Sequence, residues 1–128
     1  MKMSMKIKVD LFGIGTITGE MIRYNAPLSA DAIINKLPIV LRGRFSFGSK
    51  LYWTLPGLEI YKGLNPKSKK NVDKGDIIYN PKSDELIFIL ESTELQSKVN
   101  KIGKVTENLE FFLQAKNGLN TKISKMKS

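Results

Sequence analysis

The segment Lys74-Gly75-Asp76-Ile77-Ile78-Tyr79-Asn80-Pro81-Lys82-Ser83-Asp84-Glu85-Leu86-Ile87-Phe88-Ile89-Leu90 constrains the fold more than any other part of the chain. A Gly-Asp turn starts a short apolar run. Tyr-Asn-Pro stops it, because proline offers no N–H to a ladder. A polar turn follows, and then five apolar residues in a row. Two such runs joined by a polar turn are a buried β-hairpin.

The rest of the chain is punctuated in the same way. Met5, Ile7, Val9 and Leu11 alternate with Lys6, Lys8 and Asp10, which predicts a half-buried strand. Gly13-Ile14-Gly15 turns it into a second strand over residues 16–23. Ser29 is a candidate N-cap for a short helix carrying Asp31, Ile33, Ile34 and Leu37, and Pro38 ends it. Phe45 and Phe47 alternate before a turn at Gly48. Leu51, Trp53 and Leu55 alternate with Tyr52 and Thr54 as a strand that Pro56-Gly57 closes. Glu59-Ile60-Tyr61 reads as a further short strand, residues 65–71 as a mobile polar loop, and residues 92–98 as a loop. Residues 99–105 read as a strand with a bulge at Gly103. Thr106 is placed to cap a second helix bearing Leu109, Phe112 and Leu113 on one face, stopped by Asn117-Gly118. Residues 119–123 alternate as a last strand, and residues 125–128 read as a free tail. About eight strands and two helices in one domain, residues 1–128, predict a mainly β protein: a small closed β-barrel whose ends two short helices cap.

Composition excludes whole classes of chemistry. The chain has no cysteine and no histidine. Disulfides, thiolate nucleophiles, Cys/His zinc sites and Ser-His-Asp triads are therefore absent. The net charge of +9 comes from 21 basic and 12 acidic residues, and nearly all the excess is lysine. Lysines spread along a chain are a solvated surface more readily than a nucleic-acid clamp, which favours arginine. A Lys-rich, Cys-free composition is also common in thermophile proteins. No apolar run approaches the roughly 18 residues a membrane helix needs, and the charged N-terminal residues lack a following apolar stretch. These readings predict a cytoplasmic protein with no membrane partner.

The element order resembles the cyclophilin barrel. More closely, it is similar to the small cyclophilin-like proteins of archaea and thermophilic bacteria, a family of no settled function. Three pieces carry the resemblance: Lys50-Leu51-Tyr52-Trp53-Thr54-Leu55-Pro56; the hairpin above; and Val99-Asn100-Lys101-Ile102-Gly103-Lys104-Val105 running into the second helix and last strand. The prolyl isomerases of the wider family carry a strand resembling Phe-His-Arg, two apolar residues, Pro-Gly-Phe-Met, one residue, then Gln. With Pro56-Gly57 in the Pro-Gly place, Trp53 falls at the arginine, Leu58 at the phenylalanine, Glu59 at the methionine and Tyr61 at the glutamine. Tryptophan cannot bond the prolyl amide as that arginine does.

The candidate site residues are accordingly non-catalytic. Tyr52, Trp53, Tyr61 and Tyr79 are aromatic residues of one central region and could rim a pocket; for Trp53 the competing reading is core. Arg42 and Arg44 flank Gly43 and could hold a carboxylate or phosphate. Glu59 would line the groove that the resemblance implies. Asp84 and Glu85 are adjacent and point apart, which disfavours a metal. No cofactor or metal site is read from the chain. The expected function is a non-enzymatic binding module for a small molecule or an extended peptide. The alternative is a prolyl isomerase with a degenerate site. Exposed strand edges also leave room for an oligomer.

Overall fold

The structure is a computed structural model that describes residues 4–45 and 49–126. The expected strand position at Phe47, the turn at Gly48 and the last two tail residues lie outside them. Ten strands are present among the described residues: β1 (Ser4–Leu11), β2 (Gly15–Ile22), β3 (Ile39–Arg42), β4 (Arg44–Phe45), β5 (Tyr52–Leu55), β6 (Lys69–Val72), β7 (Asp76–Asn80), β8 (Glu85–Ile89), β9 (Thr93–Glu107) and β10 (Asn120–Lys125). One α-helix, α1 (Pro27–Lys36), and one 3₁₀ helix, Leu109–Gln114, complete the fold. No helix among the described residues is long and apolar enough to cross a membrane.

The ladder runs β3-β10-β1-β2-β9-β7-β8-β5-β4, with β6 attached to β9. Among the described residues, hydrogen bonds therefore do not close the expected barrel. The two ends of the ladder, β3 and β4, are instead consecutive in sequence and separated only by Gly43. The Gly43 N–H donates to the Leu119 carbonyl at 3.0 Å, and the Gly118 N–H donates to the Gly43 carbonyl at 2.7 Å. A Cβ at Gly43 would lie 2.1 Å from Trp53 Cε2, so only glycine fits here.

Two apolar clusters lie on opposite faces of β7 and β8. Ile77, Tyr79, Leu86, Phe88 and Leu90 join the main core with Trp53 and Phe112. Ile78, Ile87 and Ile89 point the other way and meet Val72 of β6 and Val99 of β9. The five-residue apolar run is thus a strand covered on both faces, as side-chain alternation requires. The predicted hairpin is present, with Ile77 opposite Phe88 and Asn80 opposite Glu85.

Several local expectations give way to tertiary contacts. α1 starts at Pro27, in the first-turn position proline favours. Ser29 is not its cap; it is buried and its Oγ accepts from Asn100 Nδ2 at 3.1 Å. Thr106 lies in β9, and the second helix is a 3₁₀ turn entered through Asn108 at φ 66°. Residues 92–98, expected as loop, mostly belong to the 15-residue β9. Residues 59–61 form no strand. The expected irregularity near Gly103 is present: Ile77 faces Gly103 and Ile78 faces Lys101, which leaves Ile102 unopposed. A Cβ at Gly103 would lie 2.1 Å from the Glu20 carbonyl of β2. β10 extends to Lys125, and the Met126 N–H still donates to Lys6.

Candidate functional site

The site begins with alternation along β5. Trp53 and Leu55 face the main core, while Tyr52 and Thr54 face outward beside Ile89 and Ile87 of β8. The ribbon of β6 and the first half of β9 folds over this outer surface. It covers Ile78, Ile87 and Ile89 but stops short of the end of the sheet, where Tyr52 and Leu95 remain partly buried. The uncovered end is a groove of about 450 Å³, lined among others by Tyr52, Thr54, Asn80, Glu85, Leu95 and Gln96.

A large bulge shapes its far wall. Lys69 pairs with Val99 and Asn71 with Glu94, so β9 carries residues 95–98 against the single Lys70. Bulges of this kind re-aim side chains and are frequent beside binding sites. At the rim, Arg44 donates to Glu85 at 3.0 Å and Ser83 Oγ donates to the same carboxylate at 2.7 Å. Glu94 also lines the groove and is exposed. With Arg44 offsetting Glu85, Glu94 gives the cleft its negative charge on a chain of net charge +9.

The predicted site residues separate into four places. Tyr52 lines the groove, and Arg44 reaches it through Glu85. Arg42 is exposed on β3. Trp53 is fully buried: its indole N–H donates to Thr121 Oγ1 at 3.1 Å, and its ring meets Phe45 edge-on at 4.8 Å. The position aligned with the isomerase arginine thus points into the core. Tyr79 is also buried, whereas Tyr61 is 75% exposed, so Trp53 and Tyr61 share no cavity.

Tyr79, Glu59 and Tyr61 are nevertheless brought together, by Asp84, which the sequence reading weighed only as a metal ligand. Asp84 accepts the Tyr79 hydroxyl proton and the backbone N–H groups of Glu59 at 2.6 Å, Ile60 at 3.3 Å and Tyr61 at 2.8 Å. Glu59 and Tyr61 have φ of 60° and 49°, in the left-handed region that non-glycine residues enter only when held there. Burial pushes the Asp84 carboxyl upward, but the bonds from Tyr79 and the three amides outweigh it and hold the group below its usual range. Burial, and then the bond to Asp84, raises the Tyr79 phenol to about 12. Among the described residues no three acidic, Cys or His side chains gather as a metal site.

Asn80, Glu85 and Gln96 were also missed. Asn80 had been read only as turn punctuation, and Glu85 had been weighed only as a carboxylate paired with Asp84 for a metal. The alternation of Thr93, Leu95 and Ser97 with Glu94, Gln96 and Lys98 was the available signal for the far wall.

No curated protein matches the chain by sequence. The solution structure of hypothetical protein AF2241 from Archaeoglobus fulgidus superposes with a TM-score of 0.78 at 17% identity, covering 98% of each chain. McbB, solved in complex with tryptophan, superposes with a TM-score of 0.77 at 13% identity, over 95% of this chain and 45% of that one. At such identities these similarities speak to fold alone. The model of the cyclophilin-like family matches residues 5–124, nearly the whole chain, and the protein therefore belongs to the cyclophilin-like family.

Proposed function

We propose that this protein is a non-enzymatic binding module that takes a small molecule or an extended peptide into the groove between the outer face of β5–β8 and the bulged half of β9. The groove itself carries this reading. It joins an apolar floor from Tyr52, Ile87 and Leu95 to polar side chains at Asn80, Glu85 and Gln96, the mixture that orients ligands in protein clefts. Glu85 and Glu94 favour an occupant with an amine or guanidinium group. The neighbour solved with tryptophan supports a small amine-bearing ligand on this scaffold. The isomerase alternative finds no support at Trp53, which is packed against Phe45 and Phe112.

Amide chemical-shift mapping tests the proposal, using free amino acids and short lysine-containing peptides as probes. Shifts are expected at Tyr52, Thr54 and Gln96. Glu94→Gln and Gln96→Ala, both at exposed positions, should weaken binding without lowering the melting temperature. Shifts confined to other surfaces, or none at millimolar probe, would overturn it. A protease-coupled isomerisation assay should show only the uncatalysed rate, tens to hundreds of seconds.

A further inference from the structure

A second cleft, of about 310 Å³, opens where the start of α1 meets the loop before β6; Asn25, Lys67, Ser68, Lys69 and Lys101 line it together with Pro66. The charges there do not cancel. Lys101 is engaged by Asp76 at 3.0 Å and Asp73 at 3.5 Å. Lys67 and Lys69 make no ion pair among the described residues. The Lys67 ammonium rests 3.6 Å from the centroid of the Tyr24 ring. That cation–π contact restrains the side chain at the mouth of the cleft while leaving its charge intact. From Asn25 the chain passes directly into α1, whose first turn has no side-chain cap and no acidic residue.

We propose that this cleft is a site for a phosphate monoester, separate from the groove. Lys67 and Lys69 offer two ammonium groups to the charge of about −1.5 to −2 that a phosphate monoester carries near pH 7, and with Lys101 set against Asp73 and Asp76 the surroundings stay net positive. Ser68 and Asn25 supply neutral polar groups to its remaining oxygens. The cluster Lys67-Ser68-Lys69-Lys70, the densest internal run of lysine in the sequence, thereby acquires a role beyond solubility.

The experiment is an amide and lysine side-chain NMR titration of the full chain with inorganic phosphate and glycerol phosphate, at constant ionic strength set by chloride. A sedimentation arm uses phosphatidylcholine vesicles with and without phosphatidic acid. The expected result is saturable shifts at Asn25, Lys67, Ser68 and Lys69, and at least a tenfold loss of affinity in Lys67→Gln/Lys69→Gln. Lys122→Gln/Lys125→Gln, which removes equal charge elsewhere, should leave affinity unchanged. Binding of the soluble esters alone marks a free metabolite as the source. Binding only to the phosphatidic acid vesicles, lost in the Lys67/Lys69 variant, marks a lipid headgroup. No binding in either arm, equal losses in both double variants, or displacement by chloride alone would overturn the site.

Discussion

The Tyr79 hydroxyl donates to Asp84, and that one carboxylate also anchors the amides of Glu59, Ile60 and Tyr61. Three consecutive amides of a loop far from Asp84 in sequence thus share one acceptor, while Lys36 holds the Leu58 and Glu59 carbonyls and the Lys62 N–H donates to the Tyr79 hydroxyl. Asp84→Ala should cost about 2–3 kcal/mol, because charge-assisted bonds to several donors are lost together and left-handed residues lose their support. The pH dependence follows from the sign of the shift. The folded pKa of Asp84 lies below the unfolded value of about 3.9. Its contribution is therefore fully present above about pH 4 and disappears as pH falls through the folded pKa. Urea melts at pH 7 and pH 3 should show the wild type and Asp84→Asn converging at the lower pH. An unchanged gap would remove the carboxylate from the account.

Tyr79 has the opposite sign. Its phenol is raised to about 12 in the fold, so its contribution is complete below the unfolded pKa of about 10 and is lost as pH rises through about 12. Tyr79→Phe should flatten the alkaline limb of the stability curve. It should also raise the apparent pKa of Asp84, measured by carboxyl carbon shifts, because one stabilising donor is gone. A carboxyl titration identical to wild type would contradict the pairing.

Gly43 and Trp53 are coupled by contact. A methyl group on Gly43 would meet three atoms of the indole at 2.1–2.2 Å. Gly43→Ala should therefore cost about 3 kcal/mol or more, since neither partner has room to move. Trp53→Phe alone should cost about 2–4 kcal/mol through lost volume and the lost bond to Thr121. The double variant should be less destabilised than the sum by more than about 1 kcal/mol. Additive costs in denaturant unfolding would show that the indole is not what excludes the methyl group.

The uneven legibility of this fold has physical causes. The hairpin of β7 and β8 could be read because alternation, proline and turn residues agree locally. The two-sided burial of β8 could not be separated from one-sided burial, because an unbroken apolar run lacks a polar phase to mark its faces. The first half of β9 was taken for a loop because half of its side chains are exposed and polar. Glu59-Ile60-Tyr61 alternates like a strand, yet Asp84 and two left-handed residues override that pattern. Tyr52 was named as a site residue and lines the groove. Asn80, Glu85 and Gln96 converge there only through sheet register and a bulge, neither of which leaves a local signature. Tryptophan at position 53 was open to both readings, and only Thr121 and Phe45 show it as core.

The ribbon over the outer face should open before the main sheet. Among the described residues β6 pairs only with β9, and its sole buried apolar residue is Val72. Val72→Ala should cost about 1–2 kcal/mol. In hydrogen exchange the amides of β6 should lose about tenfold or more protection, while those of β1 and β2 stay protected. Equal acceleration in β1 would mean that the ribbon and the sheet open as one unit.

Arg44 and Glu85 set the charge of the groove. The Arg44 side chain is 57% exposed and that of Glu85 only 14%, so the pair sits at a boundary between water and the cleft. An ion pair this open contributes no more than about 1 kcal/mol, and Arg44→Gln should lower the melting temperature only slightly. The change in binding should be larger. Without Arg44 the Glu85 carboxylate keeps its bond from Ser83 but faces the groove uncompensated. Affinity for a cationic probe such as a lysine-containing peptide should rise severalfold, and the gain should shrink with added salt because screening acts on the newly exposed charge. Glu85→Gln should move affinity the other way. Titration calorimetry on the three proteins at two ionic strengths checks both directions. If Arg44→Gln and Glu85→Gln shift affinity in the same direction, the groove does not read charge through Glu85, and the choice of an amine-bearing ligand falls with it.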